Sequence, residues 1–416
     1  MRKVLKITVM SGGLTFLKML MGFIIAKVVA IYTGPAGLAT LGQMQSLISA
    51  LNGIVGAPVS NGIVRYTAEN HNISYKDCSP WWRAAVMWVL IISVLLIPLG
   101  ISFSKYISLW IIHSTSYYWV ICLSLILLPI TATGILINSV INGHQDYKRF
   151  IFLGLISTIF SSILMLLLIS LYKIEGALIA AAVQYSFIGL IMILTNLREP
   201  WFKFNYWIGR TSKKNLVKTG EYMAMALTTA ITTPLSIVII RNILITNVGW
   251  DITGSWQAVW KISEVYLGVI TMALTTYYLP QLSKLNNHNE IIHEIKKTAK
   301  AIMPVVILLA VFIYLIRDYL VIILFTKEFK QASDLFLFQL VGDVIKILSW
   351  MLAFPMISKG ATKWYISSEV FFSILLISIA YILIPVYGAH GANYAYVINY
   401  IVYLLFVFFN IKKFTK

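Results

Sequence analysis

Apolar runs of about twenty residues, separated by short polar connections rich in Lys and Arg, recur along the whole chain. A helix needs about 20 mostly apolar residues to cross the hydrocarbon core of a bilayer, and twelve segments meet that need. Six lie at 8–32, 38–64, 84–102, 117–142, 150–171 and 175–197. Six more lie at 215–246, 252–282, 299–316, 332–358, 364–384 and 388–411. The pattern predicts an all-α polytopic membrane protein. It has an N-terminal six-helix lobe (1–197), a linker (198–214) and a C-terminal six-helix lobe (215–416). The linker, REPWFKFNYWIGRTSKK, mixes aromatic residues with cations and is expected to lie at headgroup level. Pro58, Pro129, Pro234 and Pro355 are expected to bend their spans. The N-terminal MRKVLKITVM begins like a signal peptide, but no small-residue cleavage site follows, so the run is expected to stay as the first span.

The second half repeats the first at a nearly constant offset. Lys27 and Arg241 are 214 residues apart, as are Gln43 and Gln257. The run Tyr172 to Ala177 matches Tyr387 to Ala392 at 215, Tyr185 falls on Tyr400, and Gly143 and Gly360 are 217 apart. An ordered series of this kind reads as internal duplication, a common plan among membrane transporters.

Composition narrows the class. Of 416 residues, 59% are hydrophobic and only 12% charged, half the usual charged share of about a quarter. The net charge of +18 is topogenic rather than a nucleic-acid signal, because the cations cluster in short connections. Even-numbered connections, both termini and the adjoining span ends hold 23 Lys and Arg, against 5 in the odd-numbered ones, which predicts both termini in the cytoplasm. The six histidines (71, 113, 144, 288, 293 and 390) and the two cysteines show no metal-ligand spacing. With no phosphate-binding Gly-Lys loop either, the reading is of a non-enzyme without cofactor or direct use of ATP.

Candidate chemistry lies within the spans, where Lys18, Lys27, Arg241, Lys261 and Lys346 remain. A charge near the bilayer centre costs at least about 2.5–3.5 kcal/mol on insertion scales. Snorkelling to the interface accounts for a cation at a span end. Several cations at similar depth fit better around an anion, so Lys27, Arg241, Lys261 and Lys346 are the candidate anion-binding residues. Two have an acid three residues away on the same helix face, Lys261 with Glu264 and Asp343 with Lys346. Each pair either neutralises its own charge or provides an H⁺ or Na⁺ coupling site, with Asp343 the first candidate and Glu264 the second. Gln43, Gln257 and Trp260 are candidate glycan contacts, offering amide edges and an aromatic face, and Trp256 reads as an interfacial belt residue. Lys18, on the opposite helix face from Lys27, and Glu221 and Glu369, near span ends, are not assigned to the site. A purely structural scaffold is a rival reading, though five intramembrane cations would burden it without use.

Several stretches resemble the Wzx-type lipid-linked oligosaccharide flippases of the multidrug/oligosaccharidyl-lipid/polysaccharide exporter superfamily. They are Lys27 to Leu38 (KVVAIYTGPAGL), the Trp256-Gln257 step, Tyr278 to Leu285 (YLPQLSKL), Gln339 to Val344 (QLVGDV) and Gly388 to Ala392 (GAHGA). The resemblance implies two six-helix lobes about a central cationic cavity in the bacterial inner membrane. It also implies movement of an undecaprenyl-pyrophosphate-linked repeat unit from the cytoplasmic to the periplasmic leaflet. Lys27, Arg241 and Gly342-Asp343 fall where the family pattern puts them, and a polysaccharide polymerase and chain-length proteins are the implied partners beside membrane lipid. The scattered match points to an O-antigen unit. The enterobacterial common antigen unit is the alternative, as is a multidrug antiporter of the same superfamily, whose mostly cationic cargo a net-positive cavity disfavours.

Overall fold

The structure, a computed structural model, describes residues 2–59, 61–70, 74–285 and 287–415. Inside a bilayer every backbone N–H and C=O must find its partner within the segment, which leaves helix as the solution for these apolar runs. The helices of the first half are α1 (Arg2–Gly56), α2 (Asn61–Asn70), α3 (Tyr75–Ile112), α4 (Tyr118–Ile126), α5 (Leu128–Gly143) and α6 (Tyr147–Asn196). A short α7 (Phe204–Trp207) sits in the linker. The second half contains α8 (Lys213–Ala273), α9 (Leu279–Lys284), α10 (His288–Leu315), α11 (Arg317–Leu324), α12 (Phe336–Ser358), α13 (Thr362–Tyr387) and α14 (Ala389–Phe414).

Among the described residues, 8 helical stretches are long and apolar enough to cross a membrane, and α4 with α5, bent by 45°, makes a ninth. Three of the eight are interrupted by one non-helical residue, Gly34 in α1, Lys173 in α6 and Gly249 in α8. Divided there, they give the twelve spans the hydrophobic pattern predicts. The protein is an all-α polytopic membrane protein.

The breaks carry the duplication more exactly aligned than the side chains do. Gly34 and Gly249, Gln145 and Gly360, and Lys173 and Gly388 all have positive φ, and each pair is 215 residues apart. The same offset relates two close approaches: a Cβ on Gly176 would lie 1.9 Å from the Leu168 carbonyl oxygen, and one on Gly391 would lie 2.3 Å from that of Leu383. The backbone therefore pairs Gly360 with Gln145, two residues from the Gly143 that the sequence match suggested. The prolines are weaker markers than expected. Pro58 lies in the 3₁₀ turn Ala57–Val59 and Pro129 just past the α4–α5 bend, but Pro234 and Pro355 lie inside helices whose backbone stays helical around them. A π-helical turn at Leu274–Tyr278, which the hydrophobic pattern does not signal, widens the chain between α8 and α9.

By internal contacts the chain forms two compact units, Met1–Val28 with Gln43–Leu235, and Val29–Gly42 with Ser236–Lys416. In the first unit, Ile63, Trp82, Val140, Leu153 and Met192 form a core that Trp201 and Trp207 complete. The linker tryptophans turn into the protein, and the linker is tied down by hydrogen bonds to the first turns of α3 and within itself. Ser79 Oγ donates to the Tyr206 carbonyl (2.7 Å), Trp207 Nε1 to the Trp201 carbonyl (2.9 Å), and Arg83 to the Asn205 carbonyl. In the second unit, α12 packs against α10 and α14, and α13 and α14 form a hairpin around Gly388. Ile347, Met351, Leu274 and Val407 fill its centre, and the π turn directs Tyr278 Oη onto the Met351 carbonyl at 2.8 Å.

Candidate functional site

The second unit gathers one polar cluster from α8, α12 and α14. Asp343 is fully buried on α12. Tyr266 on α8 donates to its Oδ2 at 2.6 Å, and Tyr396 on α14 donates to its Oδ1 at 2.8 Å. Gln339, one turn back, adds its Nε2 at 3.3 Å. Gly342 makes this possible, since a Cβ there would stand 2.3 Å from Tyr396 Cδ1. The Gly-Asp step is thus a notch and an acceptor: the glycine admits the tyrosine ring whose hydroxyl the carboxylate receives.

Lys346 makes no contact ion pair with Asp343, although the two charges still attract each other. Its ammonium lies among four aromatic rings, with centroids at 4.8 Å (Trp350), 5.3 Å (Tyr400), 5.4 Å (Tyr396) and 5.8 Å (Trp260). Ring quadrupoles hold a cation at such distances, more strongly where water is excluded. The carboxylate is occupied by stronger, shorter phenol bonds, and the ammonium turns to the ring faces. Tyr396 belongs to both arrangements, its hydroxyl to Asp343 and its ring to Lys346. Lys261 does meet its expected partner, Glu264, at 3.4 Å, with Lys261 half-buried and Glu264 exposed. Trp260 Nε1 also donates to Glu264, at 3.0 Å. Trp256 is only 2% exposed, stacks on Trp260 at 5.2 Å and donates to Asn393 Oδ1 at 2.9 Å. It is a core residue, not a belt residue.

Arg241 is 3% exposed and acts as a strut. Its Nε donates to Gln257 Oε1 at 2.7 Å and its Nη1 to the Gly42 carbonyl at 2.8 Å. Gly42 is also a contact requirement, since a Cβ on it would lie 3.0 Å from Gln257 Cδ. Lys27, by contrast, is half-buried. Backbone register explains the difference: Lys27 is seven residues before its break at Gly34, but Arg241 is eight before Gly249. One residue is about 100° around a helix, so the two cations leave their helices in different directions. Measured from the breaks, the counterpart of Lys27 is Asn242. Gln43 is likewise buried in the first unit and donates to the Ile111 carbonyl at 3.2 Å. Lys18 is exposed and Glu369 half-buried. Tyr266, Trp350 and Tyr396 were not legible as site residues. The available signal was periodic: Tyr396, Tyr400 and Tyr403 share a helix face, and Trp350 follows Lys346 by one turn. No group of three or more potential metal ligands occurs among the described residues, and His71 lies outside them.

The fold is that of a class of membrane transporters. An inward-facing multidrug resistance MATE family transporter of the MOP superfamily superimposes with a TM-score of 0.81 at 12% identity, covering 95% of both chains. A MOP superfamily transporter from Pyrococcus furiosus Vc1 gives 0.70 at 14% identity, over 99% of this chain and 96% of that one. Residues 4–286 match the family described as polysaccharide biosynthesis protein, and the chain belongs to that family. It is also 28% identical over 398 residues to proteins named lipid III flippase from Escherichia coli (strain K12) and Shigella flexneri, covering 96% of this chain and 95% of each of them. These relatives are named for translocation, not catalysis.

Proposed function

We propose that this chain is a flippase that moves an undecaprenyl-pyrophosphate-linked oligosaccharide, most simply an O-antigen repeat unit, from the cytoplasmic to the periplasmic leaflet of the bacterial inner membrane. The observation that carries the reading is full-length similarity to the lipid III flippases within a polysaccharide-biosynthesis family. The cationic residues held within its spans support it. The enterobacterial common antigen unit is the alternative cargo, supported by the names of those same relatives. Multidrug antiport rests only on a shared fold at 12–16% identity and draws no further support.

In this reading Lys27, Lys261 and Lys346 are the point charges that meet the pyrophosphate and release it again. Arg241 joins them only when its bonds to Gln257 and Gly42 open. Trp260 presents an aromatic face to the glycan, while Gln43 and Gln257 reach it only by exchanging their present bonds. The test is complementation of a flippase-null strain, scoring surface polymer and accumulated lipid-linked repeat. Lys27→Ala is expected to lower surface polymer about tenfold, the worth of one charge-assisted contact, at unchanged protein level. Full surface polymer from that variant would mean that Lys27 only snorkels.

Coupling belongs to the same proposal. Asp343 is the proposed coupling residue, an H⁺ or Na⁺ site, since it is a fully buried carboxylate that accepts from two phenols and an amide, and a proton is the ion to test first. Glu264, exposed beside Lys261, is the second candidate. Asp343→Asn nearly preserves shape, so the variant is expected to fold and to lose the dependence of translocation on a proton gradient in proteoliposomes. Retained dependence would move the coupling to Glu264 or remove it.

A further inference from the structure

The first unit contains a polar cavity of about 260 Å³ that the transport reading does not use. It lies where α3 begins, α5 gives way to α6, and the linker leaves the end of α6. Its walls include Tyr75, His144, Asp146, Arg149, Glu199 and Trp201. Trp201 and Tyr75 both lie near the His144 ring, at centroid distances of 5.9 and 5.7 Å, so the wall has a continuous aromatic side. The opposite chemistry is hydrogen-bonding. Asp146 Oδ1 caps α6 by accepting from the Arg149 backbone N–H at 3.2 Å, and Glu199 Oε1 accepts from the Arg149 guanidinium. Each carboxylate keeps its second oxygen as an acceptor, and the Tyr75 hydroxyl adds a group that can donate or accept.

The electrostatics decide what such a cavity takes. Two carboxylates against one guanidinium disfavour an anion, and the guanidinium is already engaged by Glu199 and by the Thr195 carbonyl at 2.9 Å. The same guanidinium in the wall disfavours a simple cation. Hydroxyl groups satisfy both, donating to the free carboxylate oxygens while their ring's C–H face lies on an aromatic plane. The volume is below the roughly 300 Å³ at which drug-sized pockets begin, so one small ring fits and an oligomer does not. We infer that this cavity binds a single neutral sugar ring, apart from the cationic cluster of the second unit. The inference does not rest on the flippase reading, and its failure leaves that reading intact.

The experiment is ligand-observed NMR on the full chain in nanodiscs, with D-glucose, D-galactose and N-acetyl-D-glucosamine as the probes. At least one is expected to bind saturably, with a dissociation constant on the order of 1 mM. Asp146→Asn keeps the helix cap, because Asn also caps well, but removes the charged acceptor and is expected to weaken binding about tenfold. Tyr75→Phe keeps the ring and is expected to weaken it roughly threefold. Should Asp146→Asn fail to fold, Tyr75→Phe decides. Absence of saturable binding for all three sugars overturns the inference. So does sugar binding that both folded variants leave unchanged, which would place the sugar elsewhere in the chain.

Discussion

Arg241→Ala is expected to remove most of the protein from the membrane before transport can be scored. The guanidinium is buried, and its charge-assisted hydrogen bonds include those to Gln257 and to the Gly42 carbonyl. Each such bond contributes roughly 1.5–3 kcal/mol. Alanine also leaves a cavity beside a glycine selected for close contact. A loss of about 3–5 kcal/mol is a large part of the roughly 5–15 kcal/mol that holds a folded protein together. Thermal unfolding of purified protein and its membrane abundance measure this directly. Arg241→Lys should recover part of the stability, because an ammonium can reach one acceptor but cannot fork to both. If Arg241→Ala accumulates and melts like wild type while translocation is lost, Arg241 is a substrate ligand and not a strut.

The second large effect is expected at Lys346, with the opposite signature. Lys346→Met places a flexible apolar side chain among Trp350, Tyr396, Tyr400 and Trp260, where it packs well. The fold should persist, since Asp343 is held by hydrogen bonds from Tyr266, Tyr396 and Gln339. Translocation should fall about 10–100-fold, the range set by one charge-assisted bond of roughly 1.5–3 kcal/mol. The measurement is the rate of lipid-linked repeat crossing the bilayer in reconstituted vesicles. Lys346→Arg is the useful companion, because it keeps the charge and stacks on rings. A Lys346→Met protein that translocates at the wild-type rate would reduce the cage to a packing device.

These two residues also mark how far the chain could be read before folding. Both were legible as cations inside spans, because charge in an apolar run is visible in one dimension. Their different environments were not. The spacing of Asp343 and Lys346 places them on one helix face, and that alone suggests a pair. The rings of Tyr396 and Trp350 and the hydroxyl of Tyr266 arrive from positions up to 80 residues away and give each charge another partner. The match of Lys27 with Arg241 misled in the same way. A common offset cannot register that one cation lies seven residues and the other eight from its helix break, yet that one step rotates the side chain by about 100°.

By itself the sequence determined the all-helical, twelve-span plan and the duplication, because the apolar run length and the breaks are local properties set by the bilayer and the backbone. Gly34, Gly249 and Gly388 could be suspected as breaks for the same reason, since positive φ costs glycine little. Only the tertiary structure decided which partners the charges within the spans take. Gln257 and the Gly42 carbonyl occupy Arg241, phenols occupy Asp343, and aromatic faces hold Lys346. The linker tryptophans were likewise assigned to a core only by the partners that α3 offers them. A buried polar group takes the best partner within reach, and reach in space is what sequence distance does not encode.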